Sequence, residues 1–356
     1  MTVKKLYDNY GQNPPESHTE TYMPAEWEEQ TKVQLTWPHS KTDWAPILKE
    51  AEDCFIQIAK AITSYEEVLI VADNPDEVWI KLSHAGCAMK HVRITRCSSN
   101  DTWARDHGAI SVFTPSGWEK HDFCFNGWGL KFAADKDNQI TNALVEQGFL
   151  NGRYVNQNDF VLEGGSIETD GYGTLMTTWE CMVNSPNRNN YYTQDEIEAR
   201  LKKSLHQNRI LWLYSGHLVG DDTDGHVDTL ARFCSPKSIA YVSCDDINDE
   251  HYEDLKKMEE ELCAFRTKDD EPYLLFPLPL PDPIYFEGER LPATYANFLI
   301  INNAVLVPIY NQEKKDKKAL QILKEAFPYR EIIGIDCRAL IKQHGSLHCV
   351  TMQYYG

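Results

Sequence analysis

Ionisable residues stand beside glycine in four short stretches of the chain: NDTWARDHGAI (100–110), LEGGSIETDG (162–171), GDDTDGHVDTLARF (220–233) and HGSLHCVTMQ (344–353). Glycine lets backbone approach a ligand closely, and together the stretches supply a cysteine, histidines and several carboxylates, the parts of a covalent hydrolase. Cys349 has four readings: metal ligand, half of a disulfide, packed core thiol or nucleophile. A disulfide is disfavoured, because the ten cysteines are scattered with no C-x-x-C pair in a chain too large to need stapling. As a nucleophile Cys349 needs a neighbouring histidine or positive charge to become thiolate. In this acidic chain His226 or a cationic substrate would supply it.

If LHCVTMQ is a strand, Leu347, Cys349 and Thr351 share one face and His348 the other, so His348 is not the base for Cys349. By the same alternation His226 and Asp228 in GHVD face one ligand together. Asp106, Glu163 and Asp228 each have a structural alternative: an ion pair with Arg105, a turn or helix cap, and a bond to a backbone amide. Three buried carboxylates aimed at one pocket are costly unless they meet a cation or hydrogen-bond donors, and a guanidinium, planar with five N–H donors, suits them. The rival use is a zinc or manganese site from Asp222, Asp224, His226, Asp228 and His348. No C-x-x-C cysteine pair accompanies it, and no metal is expected. GDDTDG resembles a calcium loop but has Arg232 where that loop carries its last glutamate. Trp103 and Trp128 are candidate cation-attracting faces, with core packing the alternative.

The elements that must position these residues follow from apolar spacing. Leu48, Ala51, Phe55, Ile58 and Ile62 predict a helix, and EEVLIVAD after it a buried strand. TQDEIEARLKKSL opens on a capping box from Thr193 to Glu196, ahead of the strand RILWLY. Helical spacing returns at Leu255, Met258, Leu262 and Phe265 and in KKALQILKEAF before the apolar run EIIGI, while NFLIINNAVLVPIY reads as a hairpin about Asn302-Asn303. Interleaved strands and helices give an α/β class. No linker or repeat is legible, which predicts a single domain over 23–356 after a polar arm, 1–22, that could be disordered.

Of 356 residues, 42% are hydrophobic and 25% charged, as in an ordinary globular protein. A net charge of -19, from 35 Lys plus Arg against 54 Asp plus Glu, repels phosphate backbones and anionic membranes, so nucleic acid and membrane are excluded as expected partners. No run reaches the roughly 18 apolar residues of a spanning helix, and the first twenty residues lack a signal-type apolar core, so a cytoplasmic location is expected.

The ordered motifs MPAEWE, TWPHSKTDW, TWARDHGAI, FNGWGLK, FVLEGGSIETDGYGTLMTT, TDGHVDTLARF, LPATYANFLIINNAVLVPIYN and HGSLHCVTMQ resemble the agmatine deiminases, in the wider family of arginine deiminases, bacterial peptidyl-arginine deiminases and amidinotransferases. The resemblance covers nearly all of the chain after about residue 22. It implies a five-bladed α/β propeller of ββαβ units about a pseudo-fivefold axis, and a reaction that hydrolyses agmatine to N-carbamoylputrescine and ammonia in putrescine and polyamine biosynthesis. It also implies Cys349 as nucleophile, His226 as general acid and base, Glu163 as a proton-handling carboxylate, and Asp106 and Asp228 as guanidinium anchors, with Trp103 and Gly165 beside the substrate. No cofactor is implied, and a homo-oligomer, dimer or higher, is. Peptidyl-arginine hydrolysis and amidino transfer are the alternatives within the family, and non-catalytic guanidine or polyamine binding is the alternative outside it. Two departures stand out: His344-Gly345-Ser346-Leu347 where many members carry a Gly-Gly-Gly-Asn type stretch, and Ala109 where many carry proline.

Overall fold

The computed structural model describes residues 20–356. The expected arm therefore lies outside the described residues except at its end, where Tyr22 exchanges backbone hydrogen bonds of 3.1 and 2.9 Å with Phe113.

One pattern, two antiparallel strands and then a helical crossover to a third parallel strand, recurs along the chain. The first sheet holds β1 (Lys32–Thr36), helix α1 (Leu48–Ile62), β2 (Glu67–Ala72), α2 (Pro75–His84) and β3 (Val92–Arg96), with β1, β2 and β3 mutually parallel. The apolar run of β2 is continuous because helices cover such a parallel sheet and both faces are buried. The second sheet is β4 (Ile110–Thr114), β5 (Gly117–Cys124), α3 (Asp137–Glu146) and β6 (Arg153–Val161). The third is β7 (Ile167–Thr169), β8 (Thr174–Thr178), α4 (Gln194–Leu205) and β9 (Arg209–Leu213). The fourth is β10 (Ala231–Ser235), β11 (Ser238–Ser243), α5 (Tyr252–Ala264) and β12 (Leu274–Pro279). The fifth is β13 (Leu299–Ile301), β14 (Ala304–Ile309), α6 (Glu313–Ala326) and β15 (Glu331–Asp336). The final strand, β16 (Thr351–Tyr354), returns to the first sheet and pairs antiparallel with β1, Lys32 opposite Tyr354 and Leu35 opposite Thr351. The first sheet thereby gains the antiparallel strand that its own sequence segment lacks, and the two ends of the described chain are joined.

The predicted helices and strands are present, with one exception. On α1, Ala51, Phe55, Ile58 and Ile62 are all buried. The capping box of α4 is formed, with Thr193 N donating to Glu196 Oε2 at 2.8 Å and Glu196 N to Thr193 Oγ1 at 3.3 Å. The Asn302-Asn303 hairpin turns at Asn303, whose φ is 62°. The strand expected over LHCVTMQ is a correction: residues 347–350 form turns and only Thr351–Tyr354 is strand. The alternation that separated His348 from Cys349 therefore does not apply. Among the described residues no helix is long and apolar enough to cross a membrane.

Candidate active site

In each of the five repeated sheets the outer antiparallel strand follows a loop or helical turn, and these five segments meet. Asp106 lies in the turn Ala104–His107 ahead of β4. Glu163 and Gly165 precede β7, and His226 immediately precedes, while Asp228 lies within, the turn Val227–Thr229 ahead of β10. Asn297 precedes β13, and Cys349 precedes β16. One repeat unit thus contributes one piece of the site from an equivalent position.

Gly165 marks where they converge. A Cβ built there would stand 2.6 Å from His226 Nδ1, 2.8 Å from Asp106 Oδ1 and 3.1 Å from Asp228 Oδ2, so only a residue without a side chain leaves room. Its own N–H donates to Asp106 Oδ1 at 3.0 Å. His226 Nδ1 lies 3.7 Å from Asp106 Oδ1, and His226 Nε2 3.9 Å from Glu163 Oε2. Cys349 Sγ stands 3.9 Å from Asp228 Oδ2 and 3.4 Å from Asn297 Oδ1. Both nitrogens of His226, Glu163 Oε2 and Asp228 Oδ1 are buried without a hydrogen-bond partner. Such groups are costly in a finished core, and here they lie close together, the two His226 nitrogens 3.7 Å from Asp106 and 3.9 Å from Glu163.

Charge follows from burial and neighbours. Burial would raise the Glu163 carboxyl, but the Arg188 guanidinium, with Nε 2.8 Å from Oε1, and His226 bring it down to about 2. Asp106 is pushed up to about 6, by burial first and by Asp228 and Glu163, against the pull of His226 and the Trp128 indole. Asp228 stays below its ordinary value despite burial, because His348 donates to it at 2.7 Å. The Cys349 thiol is pushed well above its usual range by burial and then by the Asp228 and Asp106 carboxylates. The His226 imidazole lies well above its usual value, with Asp106, then Cys181 and Glu163, outweighing its burial. Uncharged cysteine, charged histidine and a surplus of carboxylate describe a site waiting for a cation.

Trp128 fixes Asp106 by donating from Nε1 to Oδ2 at 3.0 Å. It does so from a left-handed backbone (φ 55°) between Gly127 and Gly129, also left-handed, where a Cβ would strike the Phe132 and Pro186 carbonyls. Trp103 meets Trp128 edge-on at 6.2 Å, and both belong to the apolar core that includes Cys349.

The alternative roles weighed from the sequence fare differently. Arg105 pairs with Gln353 at 2.6 Å and Glu26 at 3.9 Å, leaving Asp106 to the site. The Glu163 side chain caps no helix. Asp228 accepts from the His348 ring, where a backbone amide was the alternative. His226 and Asp228 do reach one place, but through a tight helical turn where strand alternation was expected. Both His348 nitrogens face carboxylates, Asp228 at 2.7 Å and Glu26 at 2.8 Å, so the ring is held away from any role as base to Cys349. The five candidate metal ligands do not gather: Asp224 is taken by Arg188, Lys131 and Ser185.

Residues 22–354 match the Porphyromonas-type peptidyl-arginine deiminase family. The chain belongs to that family. An agmatine deiminase of Pseudomonas syringae pv. tomato is 34% identical over 363 aligned residues, covering 93% of this chain and 95% of the relative. Among solved structures, a C. jejuni agmatine deiminase with substrate bound, carrying a cysteine-to-serine change, superposes with a TM-score of 0.86 at 37% identity. It covers 97% of this chain and 99% of its own. A provisional arginine deiminase of Porphyromonas gingivalis superposes with a TM-score of 0.87 at 50% identity, covering 94% and 98%.

Two residues of this family member that touch the site escaped the reading of its sequence. Asn297 accepts from the His348 and Cys349 N–H groups at 2.8 and 3.4 Å as well as from the thiol, and its Nδ2 donates to the Asp228 carbonyl at 3.2 Å. Arg188 bridges Glu163 and Asp224. Asn297 lies in the motif LPATYANFL, which was its available signal; Arg188 in SPNRNN carried none.

Proposed function

We propose that the chain is an agmatine deiminase acting through a covalent S-alkylthiouronium intermediate on Cys349. The observation that supports this most is the convergence on Gly165 of His226, Asp106 and Asp228, with Glu163 and the Cys349 thiol adjoining. In this reading the guanidinium lies against the three carboxylates with its carbon roughly 3 to 3.5 Å from Sγ, a near-attack placement. The bound cation offsets the two carboxylates that hold the thiol protonated, so substrate itself favours thiolate. Thiolate attack gives a neutral tetrahedral adduct. Protonated His226 donates to a departing amino group, ammonia leaves, and the thiouronium remains. Neutral His226 then takes a proton from water as its oxygen bonds to the same carbon, and collapse expels sulfur to release N-carbamoylputrescine.

The same proposal includes a five-bladed propeller with the site at its centre, supported by the five ββαβ-type sheets and the β16–β1 closure. It also includes a homo-oligomeric, cytoplasmic enzyme of polyamine synthesis, on family resemblance. The 50% identity to the P. gingivalis protein favours arginine, and the family match peptidyl-arginine, as a second reading. Following ammonia from agmatine, arginine and an arginyl peptide separates the two: agmatine should be turned over fastest, and absence of ammonia from agmatine rejects the assignment.

A further inference from the structure

Cys181, which has no part in the proposed reaction, completes a second constellation around His226. It sits in the helical turn Glu180–Asn184 after β8, fully buried, with its backbone N–H directed to Thr178 Oγ1 at 3.4 Å. One donor atom each from Glu163, Cys181 and His226 lies within 4.8 Å of the others. Tetrahedral zinc with bonds of about 2.0 to 2.3 Å sets its ligand atoms roughly 3.3 to 3.6 Å apart. The 3.9 Å between Glu163 Oε2 and His226 Nε2 is already close to that spacing. A second group among the described residues has similar composition, Glu26, Glu168 and His348, but differs in what its atoms are doing. Arg232 pairs with both glutamates and His348 with Glu26 and Asp228, so that cluster already has its cations. In the first cluster Arg188 pairs with Glu163 Oε1, but Glu163 Oε2 and both imidazole nitrogens are buried without a hydrogen-bond partner.

We propose that Glu163, Cys181 and His226 form a site for a thiophilic divalent cation of the zinc class, which binds in competition with the guanidinium substrate. A histidine, a thiolate and a carboxylate are borderline-soft and hard donors that zinc accepts together, leaving its fourth position to water. The metal displaces the protons from the Cys181 sulfur and an imidazole nitrogen, and both leave to solvent. A dication there occupies the two groups, Glu163 and His226, on which the deiminase reading depends, and repels an incoming guanidinium. The competition with substrate rests on that reading; the binding itself does not.

The test starts from the Cys349→Ala protein titrated with cobalt(II), whose bond to a thiolate gives charge-transfer absorption in the near ultraviolet. The band should appear, should be displaced by zinc, and should fall to background in Cys349→Ala/Cys181→Ser and Cys349→Ala/Cys181→Ala, with folding of each checked by its thermal melt. The affinity for zinc should drop at least about tenfold in both double variants. In the protein with Cys349 present, zinc should raise the KM for agmatine with little change in kcat. A band that persists when Cys181 is replaced, or that requires Cys349, overturns the site. A band without competition against agmatine keeps the site and rejects the link to the reaction.

Discussion

At the scale of single residues the site is a matter of which charges are held in which state before substrate arrives. Replacing Cys349 by alanine removes the sulfur but none of the carboxylates, so turnover should fall by about 10³-fold or more. Agmatine binding, measured calorimetrically, should change by less than about 1 kcal/mol. Loss of binding together with turnover would mean that the thiol holds the site together and does not attack. The pH profile tests a different group. In the proposed reaction Asp106, held at about 6, is ionised when it holds the guanidinium, so that function should be lost as pH falls through this value. The acid limb of kcat/KM for agmatine should therefore lie near 6, and that of kcat should lie lower, because a bound cation favours the carboxylate. An Asp106→Asn variant should lose the limb along with most of its activity. Much at this scale was legible in the sequence. Cys349, His226, Glu163, Asp106 and Asp228 stood out because each is ionisable and lies within two residues of glycine or another ionisable residue. Arg188 did not, since its partners Glu163 and Asp224 are distant in sequence and SPNRNN looks like an ordinary polar loop.

At the scale of elements the helices are predictable scaffolding and the loops ahead of the strands carry the chemistry. Thr193 shows the first half: its capping box was readable as T-x-x-E and it forms as read. Thr193→Ala should cost about 1 kcal/mol in urea denaturation and leave the agmatine KM unchanged, since Thr193 is exposed and its side chain bonds to Glu196 of its own helix. An altered KM would tie the helix end to the pocket. The loops are harder to read because their geometry depends on partners. Residues 347–350 have the alternation of a strand, yet Asn297 takes the N–H groups of His348 and Cys349 that a neighbouring strand would otherwise accept, and the segment turns. Gly165 shows how tight that packing is. In Gly165→Ala a methyl would meet His226, Asp106 and Asp228 at 2.6 to 3.1 Å. Because carboxylate and imidazole ends can give way, stability should drop only modestly, by about 1 to 3 kcal/mol. The misplaced groups should lower agmatine kcat by about 10²-fold. Wild-type kcat in a folded Gly165→Ala enzyme would show that these atoms need not converge there.

At the scale of the whole molecule, what joins the repeats is a buried ionic network that no local pattern announced, because its members come from four distant segments. Arg232 on β10 donates to Glu168 on β7, to the Phe298 carbonyl at 2.6 Å and to Glu26 at 2.9 Å. Glu26 in turn accepts from His348 at 2.8 Å, and His348 from its other nitrogen holds Asp228. Beside the network lies a cavity of about 40 Å³ lined in part by Glu26, Arg105, Glu168 and His348. The repeat itself was hidden for a related reason: the five units share a strand order but differ in the residues ahead of each first strand, where the site is built. Removing Arg232 as methionine leaves two buried glutamates with less compensation, which should cost about 3 to 5 kcal/mol at neutral pH. The sign with pH follows from the two carboxyls. Burial would raise Glu26, but Arg232 and His348 hold it well below its ordinary 4.5. The stability that Glu26 contributes is therefore present above 4.5 and lost as pH falls through its lower folded value. Glu168 is already raised by burial with Arg232 in place. Without Arg232 both carboxyls move up and favour the protonated form, so Arg232→Met should be less destabilising at pH 5 than at pH 8, measured by urea denaturation at each. A penalty that stays constant with pH would show that the glutamates find other cations, Arg105 and His348 being the nearest, and that the network is not what ties the third and fourth sheets to the chain ends.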